Sequence, residues 1–240
     1  MSRHLPPQSF RDRYRWMAGH ETGPSRLPFD PDGRVHPMRA RWEFYPTPPE
    51  ATRALLSVES FDGSIWEPAC GRGAISRVLE AAGYEVVSTD LIQRDYGAGR
   101  IDFLGETLCR AKHIVTNPPY GRGLGDAFVR HALKLTAETG GSVAMLLNLA
   151  SLSHPKRHAL WTQNPPAVIY ALDELVCWPE GDAAQARSLT ASHRYCWVVW
   201  KPGHVGRPSF WWLSTKQPVQ SKKVLTSCSL GQIGVLPFIL

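Results

Sequence analysis

Asn117-Pro118-Pro119-Tyr120 is the run whose residue types and spacing lend themselves most directly to chemistry. An exocyclic amine on an aromatic ring is a poor nucleophile, because its lone pair is shared with the ring. Acceptors drawing on both N–H bonds, here the Asn117 amide oxygen and the Pro118 carbonyl, pull the nitrogen toward a tetrahedral geometry and return the lone pair to it. Pro118 and Pro119 stiffen the turn that carries those acceptors. Tyr120 supplies an aromatic face for a planar base. The same residues also read as loop punctuation, since Asn-Pro and Pro-Pro pairs commonly end strands. Asn164-Pro165-Pro166 is an internal control: it precedes an apolar run, Ala167 to Ala171, and reads as a turn. Asn117 instead follows one, His113 to Thr116, where a strand of an open sheet delivers its loop.

A second constellation lies upstream at Glu67-Pro68-Ala69-Cys70-Gly71-Arg72-Gly73, after a brief strand, Ser64 to Trp66, and before a helical stretch, Ala74 to Ala82. Glycines in a strand-turn-helix unit let backbone approach a ligand, and the helix start offers unpaired N–H groups. Ser76 stands where the third glycine of the dinucleotide fingerprint would be, which disfavours NAD. Glu85 to Thr89 reads as the next strand, ended by Asp90 where a ribose diol would lie. Ile101 to Leu104 reads as a third, carrying Asp102 and Phe103. Either Asp also reads as a plain loop-starting residue.

The elements that must position these groups alternate as a parallel sheet requires. Thr47 and Glu50 form a T-x-x-E capping box with Pro48 at the first helical position, predicting a helix to about Val58. Asp126 to Thr139 has helical periodicity and stops at Gly140-Gly141, and Ser142 to Leu149 is an apolar strand suited to burial on both faces. Ala167 to Ala171 and Arg194 to Trp200 follow as strands, and Phe210 to Leu213 reads as one more at the edge. Its tryptophans suit either packing over that edge or stacking on bases.

With 240 residues there is room for one domain plus tails. Lys and Arg outnumber Asp and Glu by 27 to 21, which favours an anionic partner. Within residues 1–41, eight arginines with Phe10, Tyr14 and Trp16 suggest either a phosphate-tracking arm or a partly disordered leader. The five cysteines form no C-x-x-C pair, so a reducing compartment and no zinc site are expected. His154 and His158 have a metal-compatible spacing without a third ligand between them. No segment has the length and apolarity of a membrane span or secretory signal, and a cytoplasmic protein is expected.

Taken in order, Thr47-Pro48-Pro49-Glu50, Glu67 to Gly73 and Asn117 to Tyr120 resemble the motifs of class I, S-adenosyl-L-methionine (AdoMet)-dependent amino-methyltransferases. The chain is most similar to the small DNA adenine-N6 enzymes of phage and prophage type, over about residues 42–213, leaving 214–240 as a tail. The resemblance implies a Rossmann-like, seven-stranded, mostly parallel α/β sheet with an antiparallel edge hairpin, and AdoMet across the carboxyl ends of its strands. It implies Tyr45 and Thr47 near the methionine end, and Glu67, Ala69, Gly71 and Gly73 around the cofactor-contacting turn. Asp90 would meet the ribose, and Asp102 and Phe103 the adenine of the cofactor. It implies catalysis by Asn117, Pro118, Pro119 and Tyr120 on DNA, without a metal.

Larger relatives carry a separate target-recognition domain, whereas only forty residues follow Trp200 here, so either recognition is short and carried by loops such as Leu172 to His193, or the substrate is not duplex DNA. Other planar amino groups remain open as substrates: a ribosomal RNA base, cytosine N4 or a release-factor glutamine. A non-catalytic DNA-binding module also remains open.

Overall fold

The computed structural model describes residues 44–173, 175, 177 and 194–216. The arm at 1–41, most of the Leu172 to His193 loop and the tail beyond 216 lie outside the described residues.

Short strands, buried throughout except at Asn148, build the centre. They are β1 (Ile65–Glu67), β3 (His113–Thr116), β4 (Val143–Asn148), β5 (Val168–Leu172) and β6 (Tyr195–Trp200), with β2 (Val86–Ser88) at one edge and β7 (Ser209–Leu213) at the other. The order is β2-β1-β3-β4-β6-β5-β7. β1 to β4 are parallel, β6 runs antiparallel to both β4 and β5, and β7 runs parallel to β5.

Because side chains alternate across the sheet, one core forms on each face. Ile65, Val115, Leu146 and Trp197 point to one face, and Trp66, Ile114, Met145 and Val198 to the other. The first face is covered by α1 (Pro49–Val58) and α2 (Ser76–Ala81), through Ala51, Leu55 and Leu79. The second is covered by α3 (Leu124–Thr139) and α4 (His158–Gln163), through Phe128, Ala132 and Leu160. Trp197 Nε1 donates to the Ala51 carbonyl at 2.9 Å, satisfying the indole while fastening α1 to the sheet. Gly140 ends α3 at φ 63°, a left-handed cap that glycine adopts without strain.

Two local expectations are corrected. Ile101 to Leu104 is not a strand: only a single bridge, Thr89 to Ala98, precedes it, and Phe103–Gly105 is a 3-10 turn. Positive φ at Asp95, Gly97 and Arg100 bends the segment away from an extended ladder, and β7 supplies the seventh strand. The capping box at Thr47 also does not form. Pro48 is the N-cap, Pro49 takes the first helical position, and no side chain caps the helix. Thr47, 4% exposed, turns its hydroxyl inward to Asn117.

Leaving β1, the chain passes to β2 on one side and later to β3 and β4 on the other. Such a reversal opens a crevice outside the carboxyl ends of the strands. Glu67 and Asn117 stand at that edge.

Candidate active site

A cavity of about 880 Å³, counted to its open mouth, occupies the crevice. Tyr45, Thr47, Glu67, Ala69, Gly71, Asp90, Asp102, Phe103, Asn117, Pro118, Pro119 and Tyr120 all line it, whereas Gly73 does not.

Asn117 is held by its own amide group. Its Nδ2 donates to the Tyr45 carbonyl at 3.2 Å and to Thr47 Oγ1 at 3.0 Å. A carbonyl only accepts, so the atom facing Tyr45 must be the NH2 and the amide oxygen must point the other way. That oxygen accepts from the Tyr120 hydroxyl at 2.5 Å, and the same hydroxyl lies 2.9 Å from the Leu146 carbonyl on β4. One hydroxyl proton thus has two acceptors. The second Asn-Pro-Pro is the turn expected of it: Asn164 caps the end of α4, ahead of β5.

Glu67, 2% exposed, accepts through Oε2 from the Ser76 amide at 2.8 Å and from the Ser76 hydroxyl. The acid therefore anchors the start of α2 and shapes the turn between them. Burial pushes its carboxyl well above the ordinary value of 4.5, against the pull of the two Ser76 hydrogen bonds. The folded protein then keeps this proton over a pH range in which the unfolded chain has lost it. This contribution to stability is complete below about pH 4.5 and declines as pH rises toward the folded value. Glu67→Gln, a neutral isostere able to accept both Ser76 bonds, is expected to flatten that decline when urea unfolding is compared at pH 5 and pH 8. A parallel decline in both proteins would show that Glu67 is ionised in the fold.

Gly71 and Gly73 adopt φ of 58° and 81°, and their surroundings forbid side chains. A Cβ on Gly71 would come within 2.6 Å of the Phe44 ring, and one on Gly73 within 2.5 Å of the Tyr96 ring. Asp90, two residues past β2, braces this turn: Oδ2 accepts from Gly71 N at 2.8 Å, and Oδ1 from Ile92 N at 2.8 Å and Arg94 Nη1 at 3.0 Å. Burial raises the Asp90 carboxyl, with Arg94 and the two amides pulling in the opposite direction. The Arg94 guanidinium also lies 4.6 Å from the centre of the Phe44 ring.

Asp102 accepts from Leu104 N at 3.1 Å, starting the 3-10 turn. Phe103, 2% exposed, packs edge-on against Trp66 at 5.2 Å and tilted against Phe128 at 4.7 Å while forming part of the cavity wall. Phe44, Arg94 and the Leu146 carbonyl belong to the site without any signal from motif spacing. Only the adjacency of Phe44 to Tyr45 hinted at one of them.

Among the described residues no group of three metal-ligating side chains gathers, and no helix is long and apolar enough to cross a membrane. No family model and no curated protein sequence matches the chain. Solved structures do. A Listeria monocytogenes protein described as a class I S-adenosylmethionine-dependent methyltransferase is similar over 88% of this chain and 76% of its own, at 14% identity and a TM-score of 0.52. The type I restriction enzyme EcoKI M protein is similar over 73% of this chain, at 16% identity and a TM-score of 0.50, and this chain spans half of its length. With its crossover at β1, its parallel strands and the antiparallel β6, the chain has the class I methyltransferase fold.

Proposed function

We propose that this protein transfers a methyl group from AdoMet to the exocyclic N6 of adenine in DNA. The observation that carries the reading is the fixed Asn117 amide, whose oxygen is oriented by Thr47 and the Tyr45 carbonyl within the cavity that the glycine turn also lines. The surroundings fit such a donor. A side chain on Gly71 is excluded, Asp90 Oδ2 has capacity beyond its bond to Gly71, and Phe103 offers an aromatic wall. AdoMet, when bound, supplies a methyl group already activated by a sulfonium, so the protein needs neither a metal nor a covalent intermediate.

The work left to the residues is positioning. Asn117 Oδ1 accepts one N–H of the incoming amine, and the Pro118 carbonyl accepts the other. As the amine arrives, the Tyr120 proton turns to the Leu146 carbonyl, releasing Asn117 Oδ1 without leaving the hydroxyl unsatisfied. An adenine reaches this depth only when unstacked from its helix. DNA is favoured over other carriers of an amino group by the Tyr45 to Glu50 run, by the basic balance of the chain and by the likeness to a restriction-enzyme component.

Methyl-labelled AdoMet incubated with DNA, ribosomal RNA and a release factor tests the reading. Label in DNA, recovered as N6-methyladenine after digestion to nucleosides, is expected. Label confined to RNA, protein or cytosine would replace the substrate.

Thr47→Val removes one of the two bonds that orient the amide, and is expected to lower kcat about tenfold, the worth of one hydrogen bond of about 1.4 kcal/mol. Thr47→Ser should restore it. A parent-like rate in Thr47→Val, with the loss falling on Thr47→Ser instead, would assign Thr47 a packing role only.

A further inference from the structure

Two groups of aromatic residues stand outside the roles assigned so far. Phe210, Trp211 and Trp212 on β7 are exposed and do not line the cavity. Phe44, half-buried, does line it, and three kinds of contact tie it to the strand ends around the glycine turn.

The first contact is steric. Gly71 has φ 58°, and a Cβ built on it would meet Phe44 Cε2 at 2.6 Å and Cδ2 at 3.3 Å. The ring therefore fills the space that a side chain would take at this position. The Gly71 amide is engaged as well, donating to Asp90 Oδ2 at 2.8 Å. With its amide taken and its open side covered, Gly71 serves the cavity as the seat of a ring. The second contact is electrostatic: the guanidinium of Arg94 lies 4.6 Å from the ring centre and that of Arg72, within the glycine turn, 5.7 Å from it. Arg94 is itself fixed by Asp90 at 3.0 Å.

The third is the chain. Phe44 precedes Tyr45, whose carbonyl accepts from Asn117, and Thr47 accepts from the same amide. Residues 44–47 are thus fastened to Asn117 after β3, to Gly71 after β1 and, through Arg94, to Asp90 after β2. These strands are neighbours in the order β2-β1-β3, so the segment lies across the carboxyl edge where the cavity opens. Its ring stands on the glycine-turn side of Asn117.

We propose that Phe44 is a donor-binding residue, whose ring, seated on Gly71, is the surface that AdoMet meets at the glycine turn. This rests on the AdoMet reading given above. It gives the glycine a task other than the one its spacing suggests: Gly71 makes room for Phe44, and Phe44 meets the donor.

Isothermal titration calorimetry with AdoMet, and with S-adenosylhomocysteine, is compared for the parent protein, Phe44→Ala, Gly71→Ala and the double variant. Phe44→Ala is expected to bind both ligands about tenfold more weakly, the order of one aromatic contact. Gly71→Ala carries the strain of a left-handed backbone in either background, so the coupling between the two changes isolates the ring. It should weaken AdoMet binding by about tenfold with Phe44 present and by about threefold or less with Phe44 removed. Thermal melting checks that each variant folds. Should Phe44→Ala fail to fold, Phe44→Leu takes its place, with an expected loss of roughly threefold. If the parent binds AdoMet and the Phe44 variant binds it as tightly, Phe44 does not meet the donor, while the methyltransferase reading stands. If Gly71→Ala costs the same with and without Phe44, the glycine serves the ligand itself and the seat is wrong. If the parent binds neither ligand, the donor reading falls and this inference with it.

Discussion

Replacing Asn117 by alanine is expected to lower kcat for methyl transfer by roughly 10²–10³-fold, the usual cost of removing one group oriented toward a developing charge. The residue makes three contacts, of which two, to the Tyr45 carbonyl and Thr47, serve to aim the third. Alanine removes the aim and the acceptor together. It also frees the Tyr45 to Thr47 segment from β3, so AdoMet affinity should fall by a few-fold, far less than the rate. Rates from labelled AdoMet under saturating donor, together with calorimetric binding of AdoMet, separate the two effects. A parent-like rate with normal AdoMet binding would remove Asn117 from the reaction.

Asp90→Ala is expected to be the most destabilising single change at the site, by about 3–5 kcal/mol, because it leaves a buried guanidinium without its counter-charge. Side-chain exposures of 11% for Arg94 and 10% for Asp90 put the pair largely out of water. The substitution also strands the amides of Gly71 and Ile92, both of which donate to this carboxylate. The glycine turn would lose its brace, and AdoMet binding with it. Urea unfolding measures the loss, and Asp90→Ala/Arg94→Met should recover part of the stability but not AdoMet binding. If the single variant unfolds like the parent, water reaches the pair and the brace is not needed.

Much of the fold is readable because it depends on local regularities. Apolar runs bounded by glycine and proline mark β1, β3 and β4 to within a residue or two, and the 3.6-residue period of α3 ends at the glycine that caps it. The failures have local causes as well. Ile101 to Leu104 has the composition of a strand, yet the left-handed residues before it deny it a partner, and Phe103 gains more from packing between Trp66 and Phe128. At Thr47 a legitimate capping signal loses to a tertiary hydrogen bond, because the half-buried Asn117 amide finds its acceptor there and the helix start at Pro48–Pro49 is already preorganised.

The identity of the chemically able residues follows from short-range order: acceptors on a stiff turn after an apolar strand, and glycines where a strand becomes a helix. Neighbouring residues alone decide such features. Partnerships between distant positions do not follow from it. Asn117 meets Thr47 across 70 residues, Trp197 meets Ala51 across 146, and Phe44 lies over Gly71 through a close approach that spacing cannot announce. Whether the β7 aromatics face a core or the solvent is likewise settled only when helices have covered some strands and left another bare. Burial and long-range pairing are properties of the assembled layers, and no window of sequence contains them.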